Sequence, residues 1–278
     1  MIAPAAARPP AQTAVALTGR DYLSYTQITT YQACPLRWHF QYVEGRPQEV
    51  TGASLVFGGS IHAAAESHFR ALLAGLPAPG VPELLAAYDE AWQLESALPI
   101  QYGRGESAQS LRRLAQRLLA AFVAAPCAGP DGEILGVEET LRGPLIPGLP
   151  ELLARIDLIV RTDAALVIRD FKTSRSRWTA AKLAEAAPQL LLYGEIATPL
   201  AEQFGDLPVQ LEFVVLTKTK APAIDTWVID VDPGQIGRTK RIISQVWQAM
   251  QAGHVYPNPL AMHCATCPFQ KACRQWRG

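Results

Sequence analysis

Apolar positions recur along this chain at two different periods, and the change between them falls near residue 130. "LSYTQITTYQACPLRWHFQYVEG" (23–45) reads as a Ser/Thr-capped helix, a break at Pro35 and a second short aromatic helix. "FGGSIHAAAESHFRALLAGL" predicts a helix from about Gly59 that stops at Gly75. "VPELLAAYDEAWQLES" and "AQSLRRLAQRLLAAFVAA" keep the 3.6-residue period and predict two more helices. Beyond them, "EILGVEETLR", "ELLARIDLIV" and "ALVIRDFK" are three consecutive strand candidates. A helix from about Trp178 to Ala197 separates them from a fourth strand, "VQLEFVVLTK", with "TWVIDV" a candidate fifth. "PGQIGRTKRIISQVWQAMQAG" predicts a late helix with Gly253 as its stop.

The pattern is α/β, with strand, strand, strand, helix, strand at its centre. Residues 21–278 read as a single domain: 21–126 mainly helical, 133–230 bearing the sheet, and 232–278 a late helix with a cysteine segment. Residues 1–20, Ala/Pro-rich, read as a disordered tail, because their prolines break any signal-peptide core. Twenty-five acids balance twenty-five bases, so global charge does not select a partner, although a local basic groove suffices for nucleic acid. No apolar run approaches the roughly 20 residues of a bilayer span. The expectation is a cytoplasmic protein without a membrane partner.

One strand breaks its own pattern. "LVIRDFKTSRS" (166–176) runs apolar to Ile168 and then carries Asp170 and Lys172 one residue apart. An unpaired buried charge is costly, so both need compensation. If a turn centres on Asp163–Ala164, Ile159 faces Ile168 and Asp157 faces Asp170, with Lys172 on the same face by strand alternation. Two carboxylates so close repel, unless one stays protonated or a cation holds them. Oxygen ligands suit Mg2+ or Mn2+, and a lysine beside such an ion can orient a water or steady negative charge. That chemistry is phosphodiester hydrolysis. Taken alone, Asp170–Lys172 also reads as a surface pair at a strand end.

Asp157 followed thirteen residues later by "DFK" resembles the signature of the PD-(D/E)XK nucleases in their RecB-like branch. "YTQITTYQACPLRWHFQY" is similar to that branch's N-terminal segment, "GGSIHAAAE" to its Gly-x-x-His helix, and "PQLLLYGEIA" to its Gln-x-x-x-Tyr helix; "GVEETL" resembles its acidic first strand. Ile156 replaces the usual proline, and Asp170 stands where glutamate is frequent; neither removes a metal-binding group. The resemblance runs from about residue 23 to 276. It implies a restriction-endonuclease-like core, a central mixed sheet flanked by helices. It implies a metal site of His62, Asp157, Asp170 and the Phe171 carbonyl, with catalytic roles for Asp157, Asp170, Lys172, Gln189 and Tyr193. Glu138 is the auxiliary acid, with Glu139 as its alternative. His68, His254 and His263 lack such support and read as structural.

Five cysteines are an odd count, and their placement is uneven. Cys264, Cys267 and Cys273 crowd the C-terminus, Cys34 stands near the start, and Cys127 reads as a small apolar residue. Four thiolates can hold a [4Fe–4S] cluster or a structural zinc ion. The one-plus-three arrangement resembles an iron–sulfur subgroup of the RecB-like branch, which implies a structural [4Fe–4S] cluster.

Arg175, Arg177 and Lys182, with Arg155 and Arg169, are candidates for neutralising DNA phosphates or for a solvated rim. Trp38 and Trp178 read as core positions before base-stacking ones. "GQIGRTK" (234–240) lacks the spacing of a phosphate loop, so any helicase motor belongs to another polypeptide. The expected partner is DNA, with a separate helicase or a repair or adaptation subunit as further candidates. Two rival readings remain: a DNA-binding or complex-organising subunit that does not cut, and a CRISPR-adaptation-type nuclease active only with partners.

Overall fold

The computed structural model describes residues 9–129, 132–259 and 262–278. Along the chain run α1 (Pro10–Thr18), β1 (Tyr22–Ser24), α2 (Tyr25–Ala33), α3 (Pro35–Trp38) and a π-helical turn at His39–Val43. Then come β2 (Thr51–Gly52), α4 (Ala53–Leu73), α5 (Val81–Glu95), β3 (Ile100–Gln101) and α6 (Ala108–Val123). The strands β4 (Glu133–Gly143), β5 (Glu151–Arg161) and β6 (Leu166–Ser174) follow, then α7 (Ala180–Glu202), β7 (Val209–Thr217), β8 (Ala223–Ile229), α8 (Pro233–Gln251) and α9 (Gln270–Gln275).

These elements form two compact units, neither a continuous piece of chain. One draws its described residues from 9–48, 142–154 and 233–278, the other from 49–141 and 155–232.

In the first unit, Ser24 caps α2 by accepting the Gln27 N–H at 3.2 Å. Pro35 ends that helix and begins α3. The tail expected to be disordered contains a helix, α1. Pro9 and Pro10 occupy its N-cap and first position, where a missing N–H costs nothing, and Gly19 closes it at φ 70°. Residues 1–8 lie outside the described residues. In this unit β1 also pairs parallel with the first residues of β5, Tyr22 against Glu151.

The second unit holds the rest of the sheet. β5 and β6 pair antiparallel, β6 and β7 parallel, β7 and β8 antiparallel, and β4 lies on the other side of β5. The expected hairpin register holds, with Arg161 opposite Leu166 and Ile159 opposite Ile168. Alternation sends Val214, Leu216, Val167 and Phe171 into a core shared with Phe57, Ile61, Phe69, Leu118 and Phe122 of α4 and α6. Leu211, on the opposite parity of β7, meets Gly194 of α7. A Cβ at Gly194 would lie 2.9 Å from the Leu211 side chain, so this glycine permits the close approach.

α4 starts six residues before the expected Gly59. Burial of Val56 and Phe57 outweighs the low helix propensity of Gly58–Gly59. α7 runs through Pro188, and Trp178, just before it, packs edge-on against Phe213 at 5.1 Å; it is a core residue. Trp38 is likewise buried, at 1% exposure.

Candidate metal and phosphodiester site

β5 and β6 bring the two aspartates together, but not as a simple opposed pair. The ladder is regular up to Leu158 opposite Arg169. One residue further, the Asp157 carboxylate accepts the Phe171 N–H at 2.7 Å, so a side chain continues the pairing where the backbone stops. The Phe171 ring is buried against Phe69 and Phe122, which fixes that segment in the core.

α4 contributes His62, whose Nδ1 lies 3.4 Å from Asp157 Oδ2. β4 contributes Glu138 through a distortion that alternation did not predict. Glu138 has φ 56°, in the left-handed region that non-glycine residues rarely adopt. Two residues earlier, a Cβ on Gly136 would lie 2.3 Å from Glu139 Cγ. The strand therefore kinks at Gly136–Glu139, leaving Glu139 exposed and Glu138 inward. An isolated glycine inside a strand pattern is the sequence signal for such a kink. One donor atom each of His62, Glu138 and Asp157 lie within 4.8 Å of one another.

Asp170, 4% exposed, sits beside this group and pairs with Lys172, whose Nζ is 2.7 Å from Oδ2. The same ammonium donates to Gln189 Oε1 at 3.3 Å, and the Gln189 amide donates to the Tyr193 hydroxyl at 2.9 Å. The chain Asp170–Lys172–Gln189–Tyr193 thus links β6 to two successive turns of α7.

The electrostatics are those of crowded negative charge. Burial pushes the Asp170 carboxyl up to about 6, with Lys172 opposing and Asp157 adding to the rise. Burial and the Asp157 charge push Glu138 up, against the pull of Arg155. For His62, burial favours the neutral ring, but the hydrogen bond and charge of Asp157 and the charge of Asp170 win and raise it. Burial works against the Lys172 ammonium as well, and Asp170 more than offsets it. Burial raises Tyr193, so its phenol stays protonated. Carboxylate and imidazole donors with excess negative charge fit a hard divalent cation. Among the described residues, this is the group of donors close enough to hold one ion.

The candidate DNA-contacting side chains separate. Arg155 donates to Glu138 at 2.6 Å, and Arg169 is committed to Glu212 in a buried pair at 2.7 Å, so neither is a free phosphate contact. Arg175 and Arg177 are exposed, Arg177 4.0 Å from Asp225, and Lys182 pairs with Glu185 at 3.1 Å. His68 is buried with its Nε2 2.8 Å from the Ala128 carbonyl, a structural role. The backbone carbonyl of His254 accepts the Tyr31 hydroxyl at 2.6 Å, and the His263 side chain lies outside the described residues. Cys127 is a buried core residue.

In the first unit, Cys34, Cys264, Cys267 and Cys273 line one cavity of about 190 Å³, together with Leu36, Phe40, Pro257 and Phe269. The backbone N–H groups of Arg37 and Asn258 each point at the Cys34 sulfur at 3.5 Å. Burial and the neighbouring thiols raise Cys267 and Cys273. Among the described residues, no three of these sulfurs come within 4.8 Å of one another.

Residues 22–274 match the family model of the PD-(D/E)XK nuclease superfamily. Among solved structures, a protein from Eubacterium rectale designated "Putative exonuclease" aligns over 92% of this chain and 88% of its own, with 12% identity and a TM-score of 0.56. The structure of SSO0001 aligns over 89% of this chain and 95% of its own, with 14% identity and a TM-score of 0.33, too low to bear on the fold. No curated protein matches the chain. The mixed sheet flanked by helices is consistent with a restriction-endonuclease-like fold, and the match supports a nuclease at the level of the superfamily. No helix among the described residues is long and apolar enough to cross a membrane.

Proposed function

The chain belongs to the PD-(D/E)XK nuclease superfamily, and on that premise we propose that it is a Mg2+- or Mn2+-dependent deoxyribonuclease of the RecB-like exonuclease type, serving DNA repair, recombination or related DNA processing. The observation that carries this reading is the convergence of His62, Glu138 and Asp157 beside the Asp170–Lys172–Gln189–Tyr193 chain. Asp157, Asp170, His62 and the Phe171 carbonyl would hold the cation, with Glu138 as auxiliary acid. When bound, the cation supplies Lewis-acid stabilisation of charge on the phosphate oxygens.

The chain's own groups do the rest. Asp157 fixes His62 and the Phe171 N–H together, so the donors keep their spacing. Lys172 positions the attacking water and steadies the charge of the pentavalent phosphate. Gln189 limits where the Lys172 ammonium can sit, and Tyr193 in turn holds Gln189. Arg175, Arg177 and Lys182 neutralise backbone phosphates without reading sequence. Hydrolysis is direct, with no covalent enzyme intermediate.

For the four cysteines the reading is a structural [4Fe–4S] cluster, with a structural zinc ion as the alternative. Four thiols lining one cavity and two N–H groups aimed at Cys34 are what support a sulfur-ligated group there. Joining Cys34 to the C-terminal three, it ties α2 to the end of the chain and takes no part in bond cleavage.

The test is cleavage of end-labelled single- and double-stranded DNA with Mg2+ or Mn2+ by wild type, Asp170→Ala and Lys172→Ala, with folding followed by circular dichroism. Product from the wild type and none from either folded variant is expected. Full activity in either variant refutes the assignment. DNA binding without any metal-dependent product would identify a non-cutting subunit, unless an added helicase or adaptation partner restored cleavage.

A further inference from the structure

Lys218, immediately after β7, has no place in the site described so far. It is half-buried, and among the described residues it forms no ion pair with a carboxylate. Its ammonium rests 4.9 Å from the centre of the Phe57 ring, and its backbone N–H donates to the Ser174 carbonyl at 2.6 Å. Ser174 pairs with Thr217, so the parallel register puts Lys218 beside Arg175. Arg175 reaches the same turn of α4, donating to Ser54 Oγ at 3.1 Å.

The charges around this point do not balance. Arg175 and Lys218 converge, while the first turn of α4 has no acidic residue and its N-cap no side-chain acceptor. Glu106 lies 3.7 Å from Arg175, and its other oxygen already accepts the Gly103 N–H at 2.9 Å. Burial and the Arg175 charge lower Lys218, with Glu106 opposing. Two cations held beside one carboxylate form an arrangement that an added anion would stabilise.

We propose that Arg175 and Lys218 form a second phosphate subsite, which holds the backbone of the substrate strand a short distance from the scissile bond. Arg175 lies three residues beyond Lys172, about 10 Å at strand rise. That span corresponds to roughly two to three nucleotides of a strand. The anion is therefore a backbone phosphate of the same nucleic acid, and Phe57 is the wall that holds the lysine upright. Glu106 is the internal counter-ion that the phosphate displaces. The subsite rests on the nuclease reading and adds a register-setting contact to it.

The test is binding of a fluorescent 12-nucleotide single-stranded DNA to the full chain in EDTA, by anisotropy between 50 and 200 mM salt. Lys218→Met keeps the aliphatic packing on Phe57 and removes the charge. Its affinity is expected to fall roughly tenfold, and the slope of log K against log salt to become shallower by about 0.7. Glu106→Gln, which removes the competing charge and keeps an acceptor for Gly103, is expected to bind more tightly than wild type. Wild-type binding with no change of affinity or slope in Lys218→Met overturns the subsite and leaves the nuclease reading standing. Absence of any wild-type binding overturns both. If Lys218→Met does not fold, Glu106→Gln decides alone, and no tightening there overturns the subsite.

Discussion

The carboxylate site and the cysteine cavity both gather candidate ligands, yet they are built in opposite ways. At the first, His62, Glu138 and Asp157 already lie within 4.8 Å, with Asp170 buried beside them. Holding them there costs stability: carboxylates are desolvated near one another, and Glu138 sits at φ 56°. At the second, four thiols line an apolar cavity without crowding, and the elements around it are short. The first is organised by the protein and would serve a cation. The second is organised by whatever joins its sulfurs, and would serve the protein. Removing ligands should therefore have opposite consequences at the two places.

The largest expected effect is at the cavity. Cys34→Ser should abolish iron and acid-labile sulfide in anaerobically purified protein and lower the melting temperature by about 10 °C or more, because the group's binding energy is folding energy. Iron- and sulfide-free wild type of unchanged stability would break the comparison at this end. Asp157→Ala is the counterpart at the carboxylate site. It should lose cleavage by about a thousandfold and keep its iron.

The sequence made these two regions legible to different degrees. The hairpin register followed from one turn and the alternation of apolar residues, and it placed Asp170 and Lys172 on one face correctly. Gln189 and Tyr193 were legible through the resemblance of "PQLLLYGEIA" to a Gln-x-x-x-Tyr helix, and the 3.6-residue repeat is why a spacing of four puts them in contact. What alternation could not give was the kink at Gly136–Glu139, since it is the failure of alternation that turns Glu138 inward. Nor could it give the commitments of Arg155 and Arg169. Their partners, Glu138 and Glu212, come from other strands, and only the folded sheet brings them near. Lys218 was hidden for the same reason, because its neighbour Arg175 is supplied by the parallel pairing of β6 with β7. The two compact units are each assembled from separated stretches, so no linker composition marks their borders.

Next in size is stabilisation by the cation itself. Mg2+ at a hundred times its dissociation constant should stabilise the wild type by about 2.7 kcal/mol, a rise of several degrees in melting temperature. Asp157→Ala should not respond. An equal rise in the variant would mean that the cation binds elsewhere.

That affinity should also depend on pH, with a definite sign. His62 must be neutral and the carboxylates ionised to take a cation, while His62, Glu138 and Asp170 all have raised affinities for protons. Below their pKa values, protons compete with the metal, so binding strengthens as pH rises through the region above about 6, where Asp170 loses its proton. Calorimetric titration at pH 5.5 and 7.5 should give Mg2+ binding about tenfold or more tighter at the higher pH. A flat profile would show that these groups are not the ligands.

The smallest effect separates the two designs most sharply, because it reverses the usual direction of a substitution. Glu138→Gly relieves a left-handed conformation that costs a non-glycine residue about 1–2 kcal/mol, and removes a carboxylate that burial has made unfavourable. The salt bridge it gives up, to an Arg155 that is 66% exposed, contributes little. Against this stands the extra freedom that glycine gives the unfolded chain, about 0.5–1 kcal/mol. The metal-free variant should thus melt slightly higher than wild type, by about 1–2 °C, while binding Mg2+ more weakly. A lower melting temperature would mean that Glu138 is a structural acid whose bond to Arg155 holds β4 in place. A higher one with weakened Mg2+ binding would mean that the strand is bent at a cost, to keep a carboxylate where a cation needs it.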